Sequence, residues 1–218
     1  MEYTTFPSPI TKLGQDILWS IFSLNADMDE PLEYDAFLDK NFENISALDN
    51  VMIASQVCQS WRSLLLRSPS VWGRVVRLNR LSELGKIGRK EIMKRTGNAP
   101  LCIKGSVQGK QSNYFFLSEL FQKDWSRMRK IDIRIRRQGL YDDTLWDVFL
   151  RPTPHLVSFK IILEGALNRT FSSEDRFLFA GEAPLLQELC TKNVSFTIQA
   201  PWIKRLRCLR LETAEFKG

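Results

Sequence analysis

Histidine is nearly absent from this chain: His155 is the single copy in 218 residues. A Ser–His–Asp hydrolase would have to be built on that one imidazole. No nucleophile-elbow or phosphate-loop glycine pattern accompanies it. Cysteine is scarce and scattered. Cys58, Cys102, Cys190 and Cys208 form no CxxC pair, which excludes the usual spacing of a zinc site. Isolated cysteines of this kind behave as small buried hydrophobes. Asp142, Asp143 and Asp147 are the one carboxylate group near a helical pattern, but adjacent residues on a helix point apart. Asp142 and Asp143 read better as caps for a helix opening near Thr144. We therefore assign no catalytic residue, no metal and no cofactor. Long apolar runs are missing too, so no membrane span is expected. The opening MEYTTFPSPITK lacks the apolar core of a secretory leader. The expected location is cytoplasmic, nuclear or both. Outside a secretory context the sequons at Asn44, Asn168 and Asn193 carry no weight.

What is present is a chain with 44% hydrophobic and 26% charged residues, enough for a sizeable core. Its charge is split. Residues 1–76 hold five Lys/Arg against ten Asp/Glu, net −5; the rest hold 26 against 15, net +11. Such asymmetry separates two units with different partners.

Residues 1–9 read as a loosely ordered lead-in. A helix follows, with Leu13, Ile17, Leu18, Ile21, Phe22 and Leu24 at apolar-periodic positions. The run Asn25–Asn44 is acidic (Asp27, Asp29, Glu30, Glu33, Asp35, Asp39, Glu43 against Lys40) and reads as a solvated loop. Ser46 or Asp49 caps the next helix, which is expected to continue to about Arg67. Within it Val57, Cys58, Trp61, Leu64 and Leu65 share one face. Pro69 ends it, and Trp72 follows the turn as an aromatic anchor. Taken alone, such a stripe is a core helix.

Val75–Leu78 reads as a short edge strand, and Arg80–Thr96 as one amphipathic helix ending before Gly97. Strand and helix patterns then alternate. Leu101–Ile103, Met128–Ile135, Leu156–Ile161, Pro184–Asn193 and Leu206–Leu211 are strands; Tyr114–Phe121 and Leu145–Leu150 are helical. Ile103, Ile133, Ile161, Thr191 and Leu211 correspond, 20 to 30 residues apart. The LxxLxL pattern, once with Asn193 after it, is similar to irregular leucine-rich repeats. A plain parallel α/β domain is the other reading. The array is either short or truncated, because it reaches only a fifth copy.

Two segments together resemble an F-box. They are Leu13…Ile17-Leu18…Ile21-Phe22, then Val57-Cys58-Gln-Ser-Trp61-Arg62 running into Ser68-Pro69-Ser70-Val71-Trp72. Gly14 stands where that family usually has Pro, and residues 25–49 form an acidic insertion. An F-box followed by leucine-rich repeats is similar to the large F-box families of basidiomycete fungi. The fold this implies is α+β: a small helical F-box unit at 10–76, then a short α/β leucine-rich-repeat-like solenoid at 77–218. The function it implies is that of a substrate-recognition adaptor in an SCF-type cullin–RING ubiquitin ligase. The F-box would bind a Skp-type adaptor through Leu13, Gly14, Ile17, Leu18, Ile21, Phe22, Val57, Trp61, Leu65 and Trp72, since apolar surface left over from a small helical unit marks an interface. On the repeats, residues between core positions would face the substrate. Arg134, Arg136, Lys160, Lys192 and Arg210 make that row basic, which fits an acidic or phosphorylated protein.

Two other classes stay open. One is an F-box and repeat scaffold that no longer recruits a ligase. The other is a basic nucleic-acid-binding module, the weaker reading because no zinc finger, RNA-recognition core or basic region is present.

Overall fold

The computed structural model describes residues 13–26, 46–107, 111–136, 144–164, 169–171, 177–196 and 200–212. The lead-in, residues 27–44 of the acidic run, and the capping pair Asp142/Asp143 lie outside the described residues.

Four helices come first. In α1 (Gln15–Ala26), Leu18, Phe22 and Ala26 recur every fourth residue and are buried together. In α2 (Ala47–Val57), Ser46 is the cap: its hydroxyl accepts the Asp49 N–H at 3.2 Å, and the Asp49 carboxylate accepts the Ser46 N–H at 3.3 Å. The helix expected to reach Arg67 is broken. Cys58 is extended (φ −157°, ψ 167°), and α3 (Gln59–Leu66) starts afresh. The break rotates the two halves apart, so Val57 faces solvent while Trp61 packs edge-on to Phe22 with centroids 5.0 Å apart. After Arg67 the chain forms a fourth helix, α4 (Pro69–Arg74), where only a turn was expected. Pro69 sits in its first turn, the position where a missing N–H costs nothing. Trp72 is fully buried. Its indole N–H donates to the Leu65 carbonyl at 2.9 Å, and the Arg95 guanidinium lies 4.8 Å from its ring.

The strands are β1 (Val76–Arg77), β2 (Leu101–Val107), β3 (Met128–Arg136), β4 (Ser158–Glu164), β5 (Arg169–Phe171), β6 (Glu188–Lys192), β7 (Val194–Phe196) and β8 (Cys208–Glu212). The remaining helices are α5 (Leu78–Glu83), α6 (Gly85–Arg95), α7 (Gln111–Asp124) and α8 (Thr144–Val148). The helix expected over 80–96 is therefore two, parted at Gly85, whose φ of +66° a helix cannot continue through. Six strands form one sheet in the order β1-β2-β3-β4-β6-β8, every pair parallel. β5 and β7 form a second, two-stranded parallel sheet that the sequence reading missed. Among the described residues the chain is thus a mixed α/β protein with eight helices and a six-stranded parallel sheet.

The register settles which residues correspond. Ile133, Ile161, Thr191 and Leu211 lie in one row, as expected. Ile103 does not join them: it pairs with Ile131, and Gly105 occupies the Ile133 row, after an irregularity at Leu101/Cys102. Gly105 is needed there. Its φ is +134°, and a Cβ would sit 2.5 Å from the Asn79 side-chain oxygen, which accepts the Ser106 N–H. The predicted boundary at Val76 also falls inside a strand, since β1 spans it and pairs with β2.

One face of the sheet is buried. Ile103, Ile131, Ile133, Phe159, Ile161, Leu163 and Leu189 pack there into a core shared with α1–α4. An aromatic series extends that core: Phe121, Trp125, Phe149, Phe159, Phe179 and Trp202 follow one another at centroid distances of 5.2–5.8 Å. Asn193, buried and at φ 60°, closes a tight turn after β6. Its side-chain amide donates to the Leu163 carbonyl at 2.7 Å and its backbone N–H to the Glu212 carbonyl at 2.8 Å, joining three successive strands. A buried side chain so engaged is not a glycan acceptor.

Candidate functional site

Two surfaces collect the residues singled out by sequence. The first is on the helices. Of the ten residues assigned to adaptor binding, Leu18, Phe22, Leu65 and Trp72 are buried in the core. They hold the helices together and present nothing to a partner, which corrects their assignment as contacts. The apolar positions of a small unit do two jobs, and periodicity alone does not separate them. Trp61 is half-buried against Phe22. Leu13, Gly14, Ile17, Ile21 and Val57 are exposed, Ile17 at 48% and Val57 at 59%.

The exposed set is larger than the one predicted. On α1, Leu24 (71% exposed) extends Ile17 and Ile21 into a stripe at i, i+4 and i+7. On α2, Ile53 (54%) pairs with Val57 at i, i+4. Trp19 and Leu66 are exposed as well. Leu24 was within reach of sequence reasoning, one helical turn beyond Ile21. Ile53 was not, because its face depends on where α2 stops. α1 and α2 pack against each other, so this unit carries two exposed apolar stripes on adjoining helices. The missing Pro does not unmake α1. The Gly14 carbonyl accepts the Leu18 N–H at 3.1 Å, so the helix opens there with backbone hydrogen bonds alone.

The second surface is the open face of the sheet. Lys160, Lys192, Arg136 and Arg210 lie on it as expected, at half-exposed or exposed positions. Arg134 shares that face, in one row with Ser106, Ile162 and Lys192, but it is buried there, with its Nε 3.2 Å from Glu164. Cross-strand acids answer most of the row. Arg136 meets Glu164 at 3.1 Å, Lys160 meets Asp132 at 3.7 Å, and Lys192 meets Glu212 at 3.2 Å. Glu164 and Glu212 were missed because they are invisible until strands are placed in register. The face is a checkerboard of charge more than a uniform basic strip.

Cys190 sits in this face, in register with Lys160 and Arg210. Burial pushes its thiol pKa up, against the two cations that would lower it. A raised thiol pKa disfavours the thiolate, which is the reactive form. His155 is exposed. Among the described residues no group of three His, Cys, Asp or Glu side chains is placed to hold a metal. No described helix is long and apolar enough to cross a membrane. Comparison with known proteins finds no matching family model, no similar curated protein and no similar solved structure.

Proposed function

We propose that this chain is the substrate-recognition subunit of an SCF-type cullin–RING ubiquitin ligase. In this reading α1–α4 are an F-box-like unit that docks on a Skp-type adaptor. The strands from β2 onward are a short leucine-rich-repeat-like array that captures a protein substrate. The observation that carries the reading is the pair of exposed apolar stripes, Ile17/Ile21/Leu24 and Ile53/Val57, on helices already packed against each other. A soluble unit with that much uncovered apolar surface is built to bury it against another helix. The array half of the reading is supported by strands that follow one another in chain order and by a parallel sheet that, among the described residues, is covered on one face only. Parallel sheets of ordinary α/β domains are covered on both.

Substrate capture on the open face takes an acidic or phosphorylated protein, with Arg136, Lys160 and Lys192 exchanging their present carboxylates for the partner's. Exposed pairs of this kind contribute about 0–1 kcal/mol each, so the exchange is cheap.

The test is co-expression of the full chain with a Skp-type adaptor, followed by size-exclusion chromatography. A one-to-one complex is expected from the native chain. Ile17→Asp combined with Val57→Asp should abolish it and leave the thermal melt unchanged. No complex with the native chain would return the non-recruiting scaffold as the better reading.

A further inference from the structure

The last strand of the sheet differs from every other. In β2, β3, β4 and β6 the core-facing row is sealed; Leu189 and Thr191 are at most 1% exposed. Leu209 and Leu211 stand next to them in the same rows, yet are 46% and 44% exposed. β8 has β6 on one side and, among the described residues, no strand on the other. The Cys208 N–H bonds toward β6, to the Gln187 carbonyl at 3.1 Å, and the Glu212 carbonyl accepts from Asn193 on the same side. By the two-residue alternation of a strand, the N–H and C=O groups of Leu209 and Leu211 point to the outer edge. The chain leading into this strand is also basic, from the turn Pro201–Arg205 onward. Lys204, Arg205, Arg207 and Arg210 are all exposed within one short stretch. Among the described residues no carboxylate lies within ion-pair distance of any of them.

We infer that the outer edge of β8 is a β-augmentation site for an extended acidic peptide that alternates apolar and acidic residues. Three features fit that occupant together. The outward backbone groups of Leu209 and Leu211 offer a ladder for one added strand. The apolar side chains of that strand would continue the sheet's inner rows and cover Leu209 and Leu211. Its carboxylates, on the opposite row, would meet Arg210, with Lys204, Arg205 and Arg207 adding positive charge just before the strand. The strand ladder supplies affinity and the charge selects for acid. This deepens the substrate half of the function proposed above and moves the capture point from the sheet's face to its end.

The experiment uses the full chain and a synthetic capped peptide alternating Val with Glu, titrated by fluorescence anisotropy. Saturable one-to-one binding that weakens with added salt is expected. Arg207→Glu with Arg210→Glu should weaken it at least about tenfold. Leu211→Pro should do the same, because it removes an outward N–H and leaves the bonds to β6 intact. A peptide of identical sequence, N-methylated at alternate residues on its bonding edge, keeps the charge and loses the ladder; its binding should fall by at least about tenfold. Equal binding of the N-methylated peptide, or of the folded Leu211→Pro chain, would overturn the inference. So would sedimentation of the peptide-free chain as a dimer that Leu211→Pro dissolves, since the edge would then belong to a second copy. Adaptor co-elution in the same samples reads the ligase assignment separately, because none of these substitutions touches α1–α4.

Discussion

The two edges of the six-stranded sheet are opposites. β1 is two residues long, its Val76 is fully buried, and α2 and α5 pack against it. β8 is five residues long, and every one is exposed. An uncovered edge strand is a hazard for any sheet, and proteins cover such edges or charge them. This chain does each once: helices seal the first edge, and arginines and a lysine guard the last. The helical layer is therefore both the closing end of the sheet and the carrier of the exposed apolar stripes. The charged end is the one with no further strand beside it among the described residues.

If that contrast is right, substitutions at the sealed end should cost far more than matched ones at the open end. The largest effect is expected from Trp72→Ala. It removes a fully buried indole, its hydrogen bond to Leu65 and its stacking with Arg95, at a cost of about 3–5 kcal/mol in denaturant unfolding. A cost near zero would mean that the helices do not close the edge. Next comes a matched pair in one row. Leu189→Ala should cost about 2–5 kcal/mol, and Leu209→Ala less than about 1 kcal/mol, because only the first leaves a cavity. Equal losses would show β8 to be covered in solution. Asn193→Ala should fall between, at about 1–3 kcal/mol, since it leaves the buried Leu163 carbonyl without its donor and forces an alanine into a left-handed backbone. The smallest effect is chemical. A thiol reagent at neutral pH should modify exposed Cys208 well before Cys190, whose pKa is raised by burial. Faster labelling of Cys190 would mean that the open face is less packed than described.

Much of this was readable in the sequence, and the limits have physical causes. The stripe Leu18/Phe22, the cap at Ser46 and the alternation of β3, β4 and β6 are local patterns, and local patterns survive without a structure. The break at Cys58 was not readable, because neither Pro nor Gly marks it; it follows from docking α3 on α1. Arg134 alternates as an outward residue, yet Glu164 on the next strand draws it into a buried pair. β5 and β7 are three residues each, too short to show a period. Leu209 and Leu211 read as core because their pattern is that of a core strand; only the absence of a further neighbour among the described residues exposes them. For the site, sequence found the right helices but could not say which apolar residue faced in and which faced out.

The most direct test sets the two ends against each other in one assay. The full chain is co-expressed with a Skp-type adaptor and run on size exclusion beside Ile17→Asp/Val57→Asp and beside Leu211→Pro. The account predicts a one-to-one complex for the native chain and for Leu211→Pro, and a folded but solitary chain for the helix-face variant. A native chain that never co-elutes with the adaptor, or a complex indifferent to the helix-face charges, would contradict it.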